Sequence, residues 1–436
     1  MRTIADVAQA LQSVLTTQAD ALARRTGFVQ RQSKLTGAAF AQTLVFGWLG
    51  DPQASLDALA QTAAAVGVSI SPQGLDQRCG ESGALFLEEL VAVALRTVIA
   101  ADPVAIPLLE RFTGVVLVDS STITLPAELA PVWPGCGTGT AALKVHVRYD
   151  LRAGALTGPH VTDGRTSERS TRAQTAALPA GTLRLADLGY FDLGVHADMS
   201  AQGVFWLSRL NTQTAIYDLE GRRWEGLQDL EGYGTDTIDV PVLLGSTRQL
   251  PGRLLAQRVP PAVAAERRRR IRSRAKNKGY TPSALALAWA DWTVLVTNVP
   301  VALLSLPEAL VLLRARWQIE LLFKLWKSHG HVDESRSSKP WRILCEVFAK
   351  LLAMIVQHWV LLTGCWTAPD RSLTKAAHAV RQHALPLASA LPSAAHLCAT
   401  LALISRCLAA GSRLNRRKKK PNTYQMLLDP LLDSFP

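Results

Sequence analysis

The chain has 436 residues, 48% of them hydrophobic, and a formal net charge of +12. That length holds two or three domains with true cores. The six cysteines are scattered without a Cys-x-x-Cys pair, which excludes a disulfide frame or a zinc site and reads as reduced cytosolic thiols. The amphipathic N-terminus carries charges within it, so no signal peptide is expected. The longest apolar run, residues 351–363, contains Gln357 and His358, so no membrane span is expected either.

The charge is concentrated. Residues 266–278 hold eight basic residues against one acid, and residues 413–420 hold six basic residues. The rest of the chain is close to neutral. Clustered Lys and Arg are the footprint of a polyanion partner, and two separate runs point to nucleic acid.

In chain order, residues 1–105 read as helical. Ser55 is placed to cap one helix, and a Gly-containing turn leads to a second short helix with Pro72 in its first turn. The pair resembles a helix-turn-helix, with Gln73, Gln77 and Arg78 as candidate DNA contacts. Residues 114–124 change character: Val115, Val116, Leu117 and Val118 form a buried strand expected to end on Asp119. Residues 142–150 alternate apolar with Lys144, His146 and Arg148, which predicts a half-exposed strand with a basic face. A hairpin partner is expected at 155–162. Residues 183–189 repeat the earlier pattern, a short apolar strand ending on Asp187, and 203–210 predict a further strand. Residues 212–290 have short alternating segments and many Gly, Pro and Thr, which predicts a β-rich insertion ending in the basic run. Residues 290–300 return to a buried strand.

The most informative stretch is 313–327, L-R-A-R-W-Q-I-E-L-L-F-K-L-W-K. Lacking Gly and Pro, it predicts a helix of about four turns. Glu320 lies four residues after Arg316 and Lys327 eleven after, so at roughly 100° per residue all three share one face of an otherwise apolar helix. Unpaired charge on a buried helix is costly, so a carboxylate flanked by cations suggests function. Asp119, Asp187 and Glu320 are then three carboxylates of the kind hard divalent cations take, separated by 68 and 133 residues.

The sequence resembles the DDE transposases of bacterial insertion sequences, in the subgroup with a Tyr-Arg-Glu-Lys signature. Arg316, Glu320 and Lys327 match the last three signature residues at the right spacing, and Leu313 stands in place of the tyrosine. The strand-Asp-Ser-Ser stretch at Asp119 and Ala-Asp-Leu-Gly-Tyr ending at Tyr190 look like the two aspartate motifs. Leu-Val-Thr-Asn-Val-Pro, residues 295–300, looks like the segment before the signature.

The resemblance implies an α/β fold: a ribonuclease H-like catalytic core with a mostly β insertion, flanked by helical N- and C-terminal regions. The expected parts are a DNA-end-binding region at 1–105, core at 106–211, insertion at 212–290, core at 291–365 and a C-terminal region at 366–436. It implies that Asp119, Asp187 and Glu320 bind two Mg²⁺, with Mn²⁺ able to substitute, for cleavage at the element's ends and strand transfer into target DNA. Arg316, Lys327 and Lys324 would hold phosphates. Trp292, 21 residues before Leu313, would stack on a flipped base. Lys144, Arg148 and the run Arg267, Arg268, Arg269 and Arg270 would line the DNA path. The expected partners are double-stranded DNA and a second copy of the chain, with no membrane, in the bacterial cytoplasm at the nucleoid. The alternative is a DNA-binding protein derived from an inactivated element, which needs the basic runs and no acids.

Overall fold

The computed structural model describes residues 2–31, 34–366, 368–417 and 421–433. Lys418, Lys419 and Lys420 of the second basic run lie outside them. The chain forms two compact units, each assembled from three separated segments.

The first unit comprises Met1–Ala105, Val118–Ala173 and Gln318–Asn415. Its N-terminal part is helical as expected. Ser55 caps Leu56–Ala65, accepting from the Ala58 backbone N–H at 3.3 Å, and Ser71 caps Pro72–Arg78, where proline occupies the first turn. Helices Gly37–Gly50 and Glu81–Arg96 pack on Pro340–Leu362. Phe28 stacks on Phe86 at 5.1 Å beside them. Pro340–Leu362 has 23 residues and is apolar enough to cross a bilayer, yet 20 of them are buried inside the unit. Helix Ala394–Gly411 passes the same test of length and composition and is only partly buried.

The strands of this unit are most of β1 (Val115–Leu125), β2 (Ala141–Asp150) and β3 (Leu156–Asp163), in the order β3-β2-β1. β2 and β3 are antiparallel, with Val145 opposite Val161 and an irregularity between His146 and Arg148. Two expectations are corrected here. β1 runs six residues beyond Asp119, because Ile123 and Leu125 alternate inward among the serines and threonines and prolong the strand. β2 is buried on both faces rather than half exposed. Its Tyr149 packs edge-on to His358 and Trp366, while on the other face His146 stacks on His160 at 5.0 Å and Lys144 reaches Thr166.

The second unit comprises Ile106–Leu117, Gln174–Trp317 and Arg416–Pro436. Its sheet starts at the first residues of β1 and adds β4 (Leu183–Ala186), β5 (Phe205–Arg209), β6 (Ile216–Tyr217), β7 (Thr237–Leu244), β8 (Leu250–Arg258) and β9 (Trp292–Thr297), in the order β1-β4-β5-β9-β8-β7-β6. β4 and β5 are parallel; the pairs from β5 outward are antiparallel. The strands of the β-rich stretch therefore extend the sheet through β9. The basic run folds as the 17-residue helix Pro261–Asn277. Trp206, Leu254, Val296 and Trp292 belong to one apolar core in this unit.

Candidate active site

Asp119 sits mid-strand in β1, half-buried, and its Oδ1 accepts the Ser120 backbone N–H at 2.8 Å. The Ser120 hydroxyl donates to Glu168 at 3.2 Å, and Glu168 pairs with Lys144 at 3.2 Å. Burial pushes the Glu168 carboxyl up, but its own backbone N–H, Lys144 and Ser120 outweigh that and hold it below the usual range. Sequence reasoning missed Glu168; it lies 49 residues beyond Asp119 in the short 3-10 turn Glu168–Ser170, with no motif of its own.

Asp187 directly follows β4 and is exposed, as the apolar-run-then-acid pattern predicts. Arg184 of β4 is buried and donates to Gln174, whose amide donates to the Tyr190 carbonyl at 2.9 Å. This buried relay fixes the turn Leu188–Tyr190 that follows Asp187.

The predicted single helix around Glu320 has three parts. Leu306–Ala315 begins with a Ser305/Glu308 capping box, Arg316 forms its C-terminal cap, and Trp317–Lys324 leads into a π-helical turn, Leu325–His329. Glu320 is half-buried. A π turn shifts the phase by about one residue, so the uniform 100° step that put Lys327 on the face of Arg316 does not hold past Lys324. In the first unit, Lys327 donates to the Thr122 carbonyl of β1 at 2.7 Å. Lys324 is exposed.

Asp119 and Glu320 belong to the first unit and Asp187 to the second. Among the described residues no three His, Cys, Asp or Glu side chains are grouped to hold a metal ion. Each of the three is a carboxylate at a half-buried or exposed position, an oxygen donor of the kind a hard divalent cation takes.

Several candidate DNA contacts are placed differently from expectation. Trp292 is 3% exposed, in the core, with the Arg258 guanidinium over its ring at 4.6 Å, so its faces are already used. Among the described residues the exposed tryptophan is Trp317, at 56%, next to Arg316; its position on an apolar helix concealed it in the sequence. Lys144 and Arg148 are each 8% exposed and form no open basic face. Burial pushes the Arg148 guanidinium down. Arg267 donates to the Trp292 carbonyl at 2.9 Å and to Thr293, and Arg268 pairs with Asp291, so these two clamp the basic helix to β9 and to the turn before it. Arg269 and Arg270 are exposed and share Glu266. In the N-terminal helix pair, Gln73 and Gln77 are exposed, whereas Arg78 turns inward onto the Phe28 ring and its carbonyl.

A family model described as "Transposase DDE domain" matches residues 110–356, more than half of the chain. The chain belongs to the DDE transposase family. The transposase for insertion sequence element IS231F of Bacillus thuringiensis subsp. israelensis is 29% identical over 361 residues, covering 77% of this chain and 75% of the relative. The transposase for insertion sequence element IS1151 of Clostridium perfringens is 23% identical over 373 residues, covering 79% and 77%. Putative transposase InsL for insertion sequence element IS186A of Escherichia coli K12 is 31% identical over 252 residues, covering 54% and 63%. The mixed sheet with helical N- and C-terminal regions agrees with a ribonuclease H-like DDE core. This DDE transposase therefore works on DNA with divalent metal ions.

Proposed function

We propose that this transposase cleaves the phosphodiester at its element's ends and joins the freed 3′-hydroxyl to target DNA, with Asp119, Asp187 and Glu320 as the three carboxylates that hold the metal. The observation that carries this assignment is the hydrogen bond from Lys327 to Thr122, which ties the signature helix to the strand of Asp119 within one unit. Arg316, Glu320 and Lys327 keep the Tyr-Arg-Glu-Lys subgroup spacing, with Leu313 at the tyrosine position.

Two Mg²⁺ ions, or Mn²⁺ in their place, supply activation of the attacking water and neutralisation of the leaving oxygen when bound. The chain's part is positioning and charge. Asp119, Asp187 and Glu320 present oxygen donors. Arg316, Lys324 and Lys327 are cations on the segment of Glu320 and hold phosphates of the cleaved end. Trp317 offers an exposed aromatic face beside Arg316 for a base, a role that buried Trp292 leaves open. Arg269, Arg270 and the exposed cations after them on Pro261–Asn277 track the DNA backbone. Gln73 and Gln77 contact the element's end. Both ends are held by a homodimer, in the bacterial cytoplasm at the nucleoid.

Replacing Glu320 by Gln tests the assignment. We expect E320Q to lose cleavage of end-containing duplex in Mg²⁺ buffer while binding that duplex with near wild-type affinity. Cleavage by E320Q at the wild-type rate overturns the assignment of the carboxylates.

A further inference from the structure

A cavity of about 530 Å³ lies within the first unit, beyond the signature helix. Its polar wall is formed by His329, Lys375, His378, Arg381, Gln382 and Ser412. His329 ends the π turn, two residues after Lys327. Lys375, His378 and Arg381 lie on helix Leu373–Arg381, and Ser412 caps Ala394–Gly411. Two guanidinium nitrogens of Arg381, Nε and Nη2, are buried without a hydrogen-bond partner, and so is the hydroxyl of Ser412, whose residue is 3% exposed. A buried donor without an acceptor is destabilising, and a charged one more so. Asp51 is the carboxylate whose field reaches Arg381, and it lies outside the cavity wall. Burial first, then Arg381, His331 and Lys324, push the His329 imidazole away from its charged form. The Lys375 ammonium donates to the Arg413 carbonyl at 3.0 Å, and Gln382 meets His378 at 3.3 Å.

The wall thus offers donors and positive charge in excess of acceptors. A guanidinium fork with hydroxyl, amide and imidazole donors around it suits a tetrahedral oxyanion with several acceptor oxygens better than a single carboxylate. We propose that this cavity binds a phosphate group, with Arg381 as its principal ligand and Ser412, His329 and His378 completing it. Two sources share that chemistry: a backbone phosphate of DNA running past the signature helix, or free inorganic phosphate. The DNA source rests on the transposase reading above; the phosphate chemistry does not.

The full-length protein and its R381Q variant are compared in two assays, with the K375Q/H378Q double variant, altered at exposed positions, as a second test. Fluorescence anisotropy follows a labelled duplex carrying the element's terminal repeat through a KCl series. Calorimetric titration follows inorganic phosphate, and thermal midpoints report folding. For a DNA phosphate, R381Q lowers the slope of log affinity against log salt by about 0.9, the loss of one phosphate contact, and K375Q/H378Q shifts it in the same direction. Wild-type binding of inorganic phosphate that R381Q loses, with the DNA slope unchanged, assigns the cavity to the free ion. Folded variants that match wild type in both assays overturn the proposal. Wild-type cleavage of the same duplex in Mg²⁺ reports on the transposase reading separately, so cleavage without any Arg381 effect removes the phosphate site alone.

Discussion

At the scale of single residues, the side chains around Asp119 form a connected set: Ser120 bridges to Glu168, and Glu168 holds Lys144. Lys144 is nearly buried, so removing its acid leaves a poorly solvated charge. We expect E168Q to lower the free energy of unfolding by about 1–3 kcal/mol, measured by urea titration. The K144M/E168Q double variant should recover part of that loss, because the pair is coupled; additive losses contradict the link. Motif reading could single out Asp119, Asp187 and Glu320 as candidates, since strand-then-acid patterns and helical spacing are local. It could not find Glu168, whose significance comes from a partner reached through the fold. The same holds for Trp292 and Trp317. Both sit in apolar runs, and only packing decides that one is covered by Arg258 and the other faces solvent.

At the scale of elements, most strands and helices were legible because period and caps are written locally. Ser55 and Pro72 mark helix starts, and β4, β5 and β9 follow their apolar runs. Burial of β2 was hidden, because Lys144, His146 and Arg148 alternate as they would on a solvated face. The π turn Leu325–His329 was equally hidden, since it has the same apolar content as a regular turn. Helix Pro340–Leu362 and the turn before β3 supply a sharper test. Gly154 has φ +70°, and a Cβ there would sit 2.5 Å from both Leu362 and Trp366. Its carbonyl also meets the His358 Nε2 at 2.6 Å. Left-handed backbone and overpacking act together at this position. We expect Gly154→Ala to cost about 2–5 kcal/mol, read as a lower urea midpoint with unchanged slope.

At the scale of the whole molecule, three buried histidines set an acid limit. Burial first, then neighbouring cations, lowers the His146 imidazole to about 4 and the His196 imidazole to about 3, and burial lowers His358 to about 4. The unfolded chain takes up these protons below about pH 6.5, while the folded chain refuses them until near pH 4 at His146 and His358 and near pH 3 at His196. Stability therefore falls as pH drops through these windows, by up to about 1.4 kcal/mol per pH unit for each group, and each group adds nothing further below its own. Thermal midpoints taken from pH 7 to pH 4 should decline steadily; a flat profile contradicts neutral burial. The interleaving of the two units has another consequence, for synthesis. The first unit needs segments ending at Ala105, Ala173 and Asn415, so it cannot close until Asn415 has been made. At about 5–20 residues per second this takes roughly 20–80 s. Asp119 and Glu320 thus wait for the segment Gln318–Asn415 before they share a folded unit, and a product that stops short of Gln318 never unites them in one.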